Sequence, residues 1–178
     1  CYKYSPIYWQ TANLIVDSGA VDENAGDSTN YGKMAIAIAA VQKENVKVEL
    51  PLINSADFGF KADVENNRII FGLKGINGIG DDIVQAIIQN RPFNSMEDFA
   101  RKMLDTKLIT KSKMVQLIKA GCFTELHSSD RKETMRWYLK NYAFTPSDKI
   151  TMQQFAKMTE LGIIPESLDL AKRMVNFK

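Results

Sequence analysis

A short glycine-rich stretch near the middle of the chain constrains the local fold more than any other feature. Gly75-Ile76-Asn77-Gly78-Ile79-Gly80 leads directly into a helical pattern that opens with Asp81-Asp82-Ile83-Val84. Gly78 and Gly80 can take positive φ at little cost, and without a Cβ they let another molecule approach the backbone. The helix after them begins with unpaired N–H groups and a partial positive charge. Together these features predict a site for an anion.

An apolar residue between two glycines is typical of a helix–hairpin–helix element, in which Ile79 fills the space between two helices. Such elements hold nucleic acid through its phosphates and do not read its sequence. A dinucleotide-binding fingerprint is excluded because it needs a third glycine where Ile83 stands. A triphosphate-binding loop is excluded because Gly-Lys-Ser/Thr is absent. A tight turn between packed helices, with no ligand, remains the alternative.

The formal net charge of +2 conceals an uneven distribution along the chain. Residues 1–64 carry a net −3, whereas residues 65–120 carry +3 and residues 131–178 carry +4. The basic excess therefore lies in and after the hairpin, as nucleic-acid binding requires, but its small size predicts weak or shared binding. Asp81 and Asp82 oppose phosphate binding, and the lysines are alternatively only a solvated face. The candidate DNA-contacting residues are Lys74, Asn77, Gly78, Ile79, Gly80, Lys107, Lys111 and Lys113.

Composition limits the other kinds of site. Two cysteines and one histidine cannot supply the four ligands of a structural zinc site, so we expect no metal or cofactor in this segment. Cys1 and Cys122 are predicted to be free thiols in a reducing compartment. No apolar run approaches the roughly 20 residues of a membrane span, and no membrane partner is expected. Because the chain starts with Cys1, we expect it to be part of a longer polypeptide.

The periodicity predicts a predominantly helical α+β fold. In the small mixed α/β N-terminal part, we expect a helix from Pro6, capped by Ser5, to about Gly19, and a loop over 22–30. A helix with Met34, Ile38 and Val41 on one face follows over residues 31–44. Alternation predicts a strand at residues 46–50 and a β-hairpin that pairs 58–62 with 68–71 around the turn at 65–67.

Helical patterns continue from Leu73 to the end of the chain. Ser95 is predicted to cap a helix through Met103, and Gly121 is predicted to end a helix that buries Met114, Leu117 and Ile118. Asp130 with Glu133 and Thr151 with Gln154 are each predicted to form a capping box, and these boxes begin helices that run to Tyr142 and to Gly162. A last helix is predicted from Pro165. The large aromatic side chains of the predicted helices are predicted to be core residues: Tyr8, Trp9, Trp137, Tyr138, Tyr142 and Phe155. His127, in a polar loop, is predicted to be exposed.

Several motifs follow one another in a fixed order over about residues 3–126. They are Glu49-Leu50-Pro51-Leu52-Ile53-Asn54-Ser55, Arg68-Ile69-Ile70-Phe71-Gly72-Leu73, Ile76-Asn77-Gly78-Ile79-Gly80, Ile87-Ile88, Arg91-Pro92-Phe93-Asn94-Ser95-Met96-Glu97-Asp98-Phe99, and Leu117-Ile118-Lys119-Ala120-Gly121-Cys122-Phe123. In this order they resemble bacterial C-family replicative DNA polymerases, the alpha subunit of DNA polymerase III.

The resemblance implies distal fingers over 1–72 and a tandem helix–hairpin–helix domain over 73–126. The helical patterns beyond it predict a helical extension over 127–178. The second hairpin is a degenerate one near Asp105–Thr110. The implied partner is duplex primer–template DNA, with the sliding clamp and other replisome proteins as further candidates. The catalytic carboxylates, and the Mg²⁺ that the parent polymerase is expected to use, belong to upstream parts. We therefore expect a non-catalytic segment of a cytoplasmic replication enzyme.

Three departures from that family stand out: Asn77 in place of a frequent Lys, Leu52 in place of Pro, and Thr124 in place of Asp. Gln153-Gln154-Phe155 resembles the family's clamp-binding peptide only weakly. Two alternatives to DNA binding by the hairpins remain open. One is a platform for docking replisome proteins. The other is a DNA glycosylase with Asp98 as its catalytic aspartate, disfavoured because Asp81-Asp82 follows the second glycine.

Overall fold

The computed structural model describes residues 6–17, 31–144 and 150–164. Over these residues the chain forms seven α-helices and one small three-stranded sheet, which confirms a predominantly helical α+β fold. The chain divides into two compact units, residues 1–129 and residues 130–178.

The first unit opens with two helices and a small sheet. Helix α1 spans Pro6–Asp17 and α2 spans Tyr31–Lys43. Strand β1, Lys47–Glu49, pairs in parallel with β3, Arg68–Ile70, and β2, Lys61–Asp63, pairs antiparallel with β3, so the strand order is β1-β3-β2. The predicted strand and the predicted β-hairpin are both confirmed.

The helices and the sheet share one apolar core. Leu14 of α1 and Ile69 of β3 are fully buried in it, and Met34 and Val41 of α2 lie on its other side. The prediction for Tyr8 and Trp9 was wrong, because their side chains are 58% and 50% exposed. The core face of α1 is instead formed by Ile7, Gln10, Thr11 and Leu14. The predicted end of this helix at Gly19 and the predicted loop over 22–30 lie outside the described residues.

A 3₁₀ turn and three α-helices follow the sheet in the first unit. The 3₁₀ turn is Leu73–Gly75, α3 spans Asp81–Gln89, α4 spans Met96–Phe99 and α5 spans Lys111–Ala120. Ser95 caps α4 as predicted, since its hydroxyl accepts a hydrogen bond of 3.1 Å from the Asp98 N–H. Gly121 ends α5 at φ +84°, also as predicted.

The helix that was predicted to run from Ser95 through Met103 changes its winding midway. After Phe99 the backbone forms a π-helical segment over Ala100–Leu104, and the Asp105 N–H donates to the Ala100 carbonyl at 3.0 Å. Ala100 and Met103 of this segment are both fully buried.

A row of three phenylalanines joins the helical segments. Phe99 packs edge-to-face on Phe93 at 4.8 Å and on Phe123 at 4.9 Å between ring centroids. The chain before the hairpins is bonded to the same region: Asn54 exchanges two hydrogen bonds with the Phe93 backbone, and Arg91 donates to the carbonyls of Ile53 and Ala56. The boundary between residues 72 and 73 stays a prediction.

The second unit contains α6, Arg131–Asn141, and α7, Met152–Glu160. Asp130 caps α6 through the Lys132 N–H, and Thr151 forms the predicted reciprocal capping box with Gln154. Tyr138 is buried as predicted, and burial raises its pKa to about 12. Trp137, Tyr142 and Phe155 are only partly buried. The helix predicted from Pro165 lies outside the described residues.

Candidate nucleic-acid interface

The two glycines of the first hairpin loop differ in backbone conformation: Gly78 has positive φ, whereas Gly80 is extended. Gly78 has φ +77°, and Ile79 behind it is only 3% exposed and bonds to the Ile76 carbonyl through its N–H at 3.1 Å. Gly80 does not use the positive φ that is open to a glycine. It caps α3 in an extended conformation, φ −83° and ψ 170°, because an N-cap residue lies outside the helical region. A Cβ on Gly80 would lie 2.8 Å from Asp82 Oδ1.

The start of α3 is already compensated by its own side chains. Asp81 and Asp82 occupy the first turn, where carboxylates offset the positive end of the helix dipole. Lys74 forms an ion pair with Asp81, and the Lys74 side chain is only 21% exposed. The charge of Lys74 is therefore directed largely at this acidic helix start.

The second hairpin lies between the π-helical segment and α5. Lys107 takes positive φ, +60°, and Ile109 is buried to the same degree as Ile79, at 3% exposure. Thr110 occupies the N-cap position of α5, and its hydroxyl lies 3.2 Å from the Ser112 hydroxyl rather than capping a backbone N–H. The helix begins Lys111-Ser112-Lys113 with no acidic residue in its first turn. This helix start thus joins exposed backbone donors to basic side chains.

One contact brings the two hairpins together. The Lys113 ammonium donates a hydrogen bond to the Gly78 carbonyl, and a Cβ on Gly78 would lie 3.4 Å from Lys113 Nζ. The first turn of α5, which also carries Lys111, therefore lies against the loop of the first hairpin. The structure thus assembles Gly78 and Lys113 into one surface, whereas Lys107 is exposed in the second loop.

Asn77 has a different neighbourhood. It is exposed and lines a cleft of about 440 Å³ together with Ile76, Phe71, Gln116 and Lys119. Its side chain is a neutral amide, which offers hydrogen bonds but no charge to a phosphate.

The second hairpin was predicted only from the family resemblance, and the repeat that relates it to the first hairpin was not predicted. A shift of 30 residues superimposes Ile79 on Ile109 in the sequence, and it also pairs Val84 with Met114, Ile87 with Leu117 and Phe93 with Phe123. All eight of these side chains are buried. A search for an internal repeat at this offset would have found the second hairpin as a copy of the first.

Asp98 serves as an anchor for the segment between the hairpins. Hydrogen bonds from Lys102, from the Asn94 N–H and from Arg101 hold its pKa at about 2. Its carboxylate therefore stays ionised and paired, whereas the general base of a glycosylase needs a pKa near its working pH. The Asp98 environment favours a helix-capping role.

In the described part of the chain, no group of three or more His, Cys, Asp or Glu residues is placed to hold a metal ion. None of the helices described there is both long enough and apolar enough to cross a bilayer. Cys122 is a buried free thiol, and Cys1 lies outside the described residues.

Comparison with known proteins gives one family and a consistent group of relatives. The family described as "Helix-hairpin-helix motif" matches residues 45–134, about half of the chain. The chain is 41% identical over 183 aligned residues to "Probable DNA polymerase YorL" of Bacillus subtilis and to "DNA-directed DNA polymerase" of Bacillus phage SPbeta. Both alignments cover 99% of this chain and 14% of the relative.

A more distant relative aligns with part of the chain only. The "DNA polymerase III subunit alpha" of Pseudomonas aeruginosa is 33% identical over 104 residues, which is 56% of this chain and 9% of that protein. The chain thus spans only a small part of each of these polymerases.

Proposed function

Because this chain belongs to the helix–hairpin–helix family and matches a segment of DNA polymerases, including DNA polymerase III alpha subunits, we propose that it binds duplex primer–template DNA nonspecifically. It does so through backbone phosphates and performs no chemistry itself. The polymerase that contains it carries out the reaction elsewhere, with its own metal ions. We therefore assign the chain to the DNA-holding part of a cytoplasmic replication enzyme.

The hydrogen bond from Lys113 to the Gly78 carbonyl is the observation that carries the proposal. Because this bond sets the lysine-bearing start of α5 beside the glycine loop, one DNA backbone contacts the cations of the second hairpin and the glycine loop of the first in the proposed complex. Adjacent phosphates of one DNA strand lie close enough for two such points to be contacted together.

The two hairpins contribute unequally to this contact. The acids at the start of α3 repel phosphate, and Lys74 is directed at one of them. The start of α5 has no such acid and carries Lys111 and Lys113. We therefore assign most of the charge-dependent binding to the second hairpin, with Lys107 as a further cation, and a steric role to Gly78, Ile79 and Gly80.

The proposed experiment measures fluorescence anisotropy of a labelled primer–template duplex at increasing protein concentration, from about 20 to 200 mM salt. Neutralising two to four phosphates predicts a log–log slope of about −2 to −4, with a dissociation constant in the micromolar range or weaker. Lys111→Gln should reduce the slope by about one unit and weaken binding equally on duplexes of different sequence.

Lys119→Gln is the matched control, because it removes the same charge from the other end of the same helix. It should change duplex affinity much less than Lys111→Gln. Equal effects of the two variants would mean that duplex affinity depends on the net charge of the chain and not on the position of Lys111. Unchanged anisotropy at the lowest salt and highest protein concentration would contradict autonomous binding, and would favour a hairpin platform that docks replisome proteins.

A further inference from the structure

A notch between α1 and α2 is not used by the proposed DNA contact. It has a volume of about 180 Å³ and is lined by Trp9, Asn13 and Asp17 from α1 and by Ala37, Ala40 and Glu44 on the other side, with Gln10 at its base. The small side chains of Ala37 and Ala40 leave room for a guest, and Trp9 forms an exposed aromatic wall.

Gln10 is the feature that points to a ligand. Its side chain is only 5% exposed, and its amide nitrogen donates to Glu44 Oε2. Its amide oxygen, Oε1, is buried and has no hydrogen-bond partner in the described structure. An unsatisfied buried acceptor is unfavourable, so a guest that donates a hydrogen bond there would stabilise the site.

The charge of the notch selects a cationic guest. Asp17 and Glu44 are exposed carboxylates that line it, and residues 1–64 as a whole carry a net −3. This charge repels DNA and attracts basic protein segments. We propose that the notch binds the guanidinium group of an arginine presented by a basic segment of a partner protein.

A guanidinium group fits these surroundings better than an ammonium group. It is planar, carries five N–H donors in a fixed arrangement, and stacks on aromatic faces such as that of Trp9. One guanidinium can donate to the Gln10 oxygen and to a carboxylate of the notch at the same time. A lysine ammonium is more strongly hydrated and offers a point charge without a flat face.

The test is an NMR titration of the whole chain with three acetylated, amidated tripeptides, Gly-Arg-Gly, Gly-Lys-Gly and Gly-citrulline-Gly. The reporter is the indole N–H of Trp9, identified with a Trp137→Phe variant, and the Trp137 signal serves as the internal reference. The arginine peptide should shift the Trp9 signal saturably in the millimolar range. The lysine peptide should bind at least threefold more weakly, and the uncharged citrulline peptide should not bind.

Two variants and one control locate the interaction. Glu44→Gln should weaken arginine-peptide binding about tenfold, and Gln10→Met should remove the preference for arginine over lysine. Glu49→Gln, which removes one charge outside the notch, should leave binding unchanged. If Gln10→Met does not fold, the Glu44 and Glu49 pair still decides the result. The proposal is overturned by no saturable shift with the arginine peptide, by equal binding of the citrulline peptide, or by equal effects of Glu44→Gln and Glu49→Gln.

Discussion

The two hairpins bury an isoleucine in the same way but surround it with opposite charge. Ile79 and Ile109 are each 3% exposed, and each precedes the N-cap of a helix. The helix after Ile79 starts with two aspartates, whereas the helix after Ile109 starts with Lys111-Ser112-Lys113. The packing role of a hairpin is therefore separable from its electrostatic role. Variants that change the packing of a hairpin should therefore leave its charge-dependent binding nearly intact, and the reverse should also hold.

The largest expected effect lies where both hairpins share a side chain. Phe99→Ala removes a fully buried ring that contacts both Phe93 and Phe123, so the free energy of unfolding should fall by about 3–5 kcal/mol. Urea unfolding followed by circular dichroism measures the change. Phe155→Ala, at a half-buried position in the second unit, is the control and should cost clearly less. A loss below about 1 kcal/mol for Phe99→Ala would show that the hairpins do not depend on this ring.

The plug isoleucines provide the next test. Ile79→Ala and Ile109→Ala should each reduce the free energy of unfolding by about 2–4 kcal/mol, since each removes the same buried side chain. Their effects should agree within about 1 kcal/mol in parallel urea titrations. A large difference between the two losses of unfolding free energy would mean that the hairpins are packed differently, although their sequences are related by a repeat.

The residues at positive φ should respond in opposite directions. Gly78→Ala places a Cβ at φ +77° and should destabilise the protein by about 1–2 kcal/mol. Lys107→Gly relieves the same kind of strain at φ +60° and should stabilise it by about 0.5 kcal/mol after the entropy of the unfolded chain is counted. Thermal and urea unfolding measure both. Destabilisation by Lys107→Gly would indicate that the lysine side chain makes a contact that outweighs its backbone strain.

The smallest expected effect tests the electrostatic difference directly. Asp81→Asn removes a repulsive charge and releases Lys74 from its ion pair, so duplex affinity should rise about two- to fivefold. The loss of a favourable charge at the helix start should cost about 0.3–1 kcal/mol of stability. Anisotropy titrations and urea unfolding on the same samples give both values. A fall in affinity would contradict the inhibitory role assigned to this acid.

Elements that depend on local chemistry were predictable from the sequence. The caps at Ser95 and Thr151, the helix end at Gly121 and the β-hairpin follow from short-range rules, and the structure confirms them. Gly78, where the sequence indicated that positive φ costs little, has φ +77°.

Features that depend on tertiary packing were not predictable. The π-helical segment after Phe99 adds one residue to a helical turn, and a helical pattern carries no information about that extra residue. Tyr8 and Trp9 have the hydrophobicity of core residues, but α1 turns another face to the sheet. The hydrogen bond from Lys113 to Gly78 joins residues 35 positions apart, and no local pattern indicates it.

The most direct test of the central claim is an NMR titration of ¹⁵N-labelled protein with an unlabelled primer–template duplex at low salt. The account predicts the largest amide shifts at residues 110–113, smaller shifts at residues 78–82, and reversal of both when salt is added. Shifts confined to the first hairpin would contradict the unequal roles assigned to the two loops. Shifts that spare both hairpins would contradict phosphate binding at this surface.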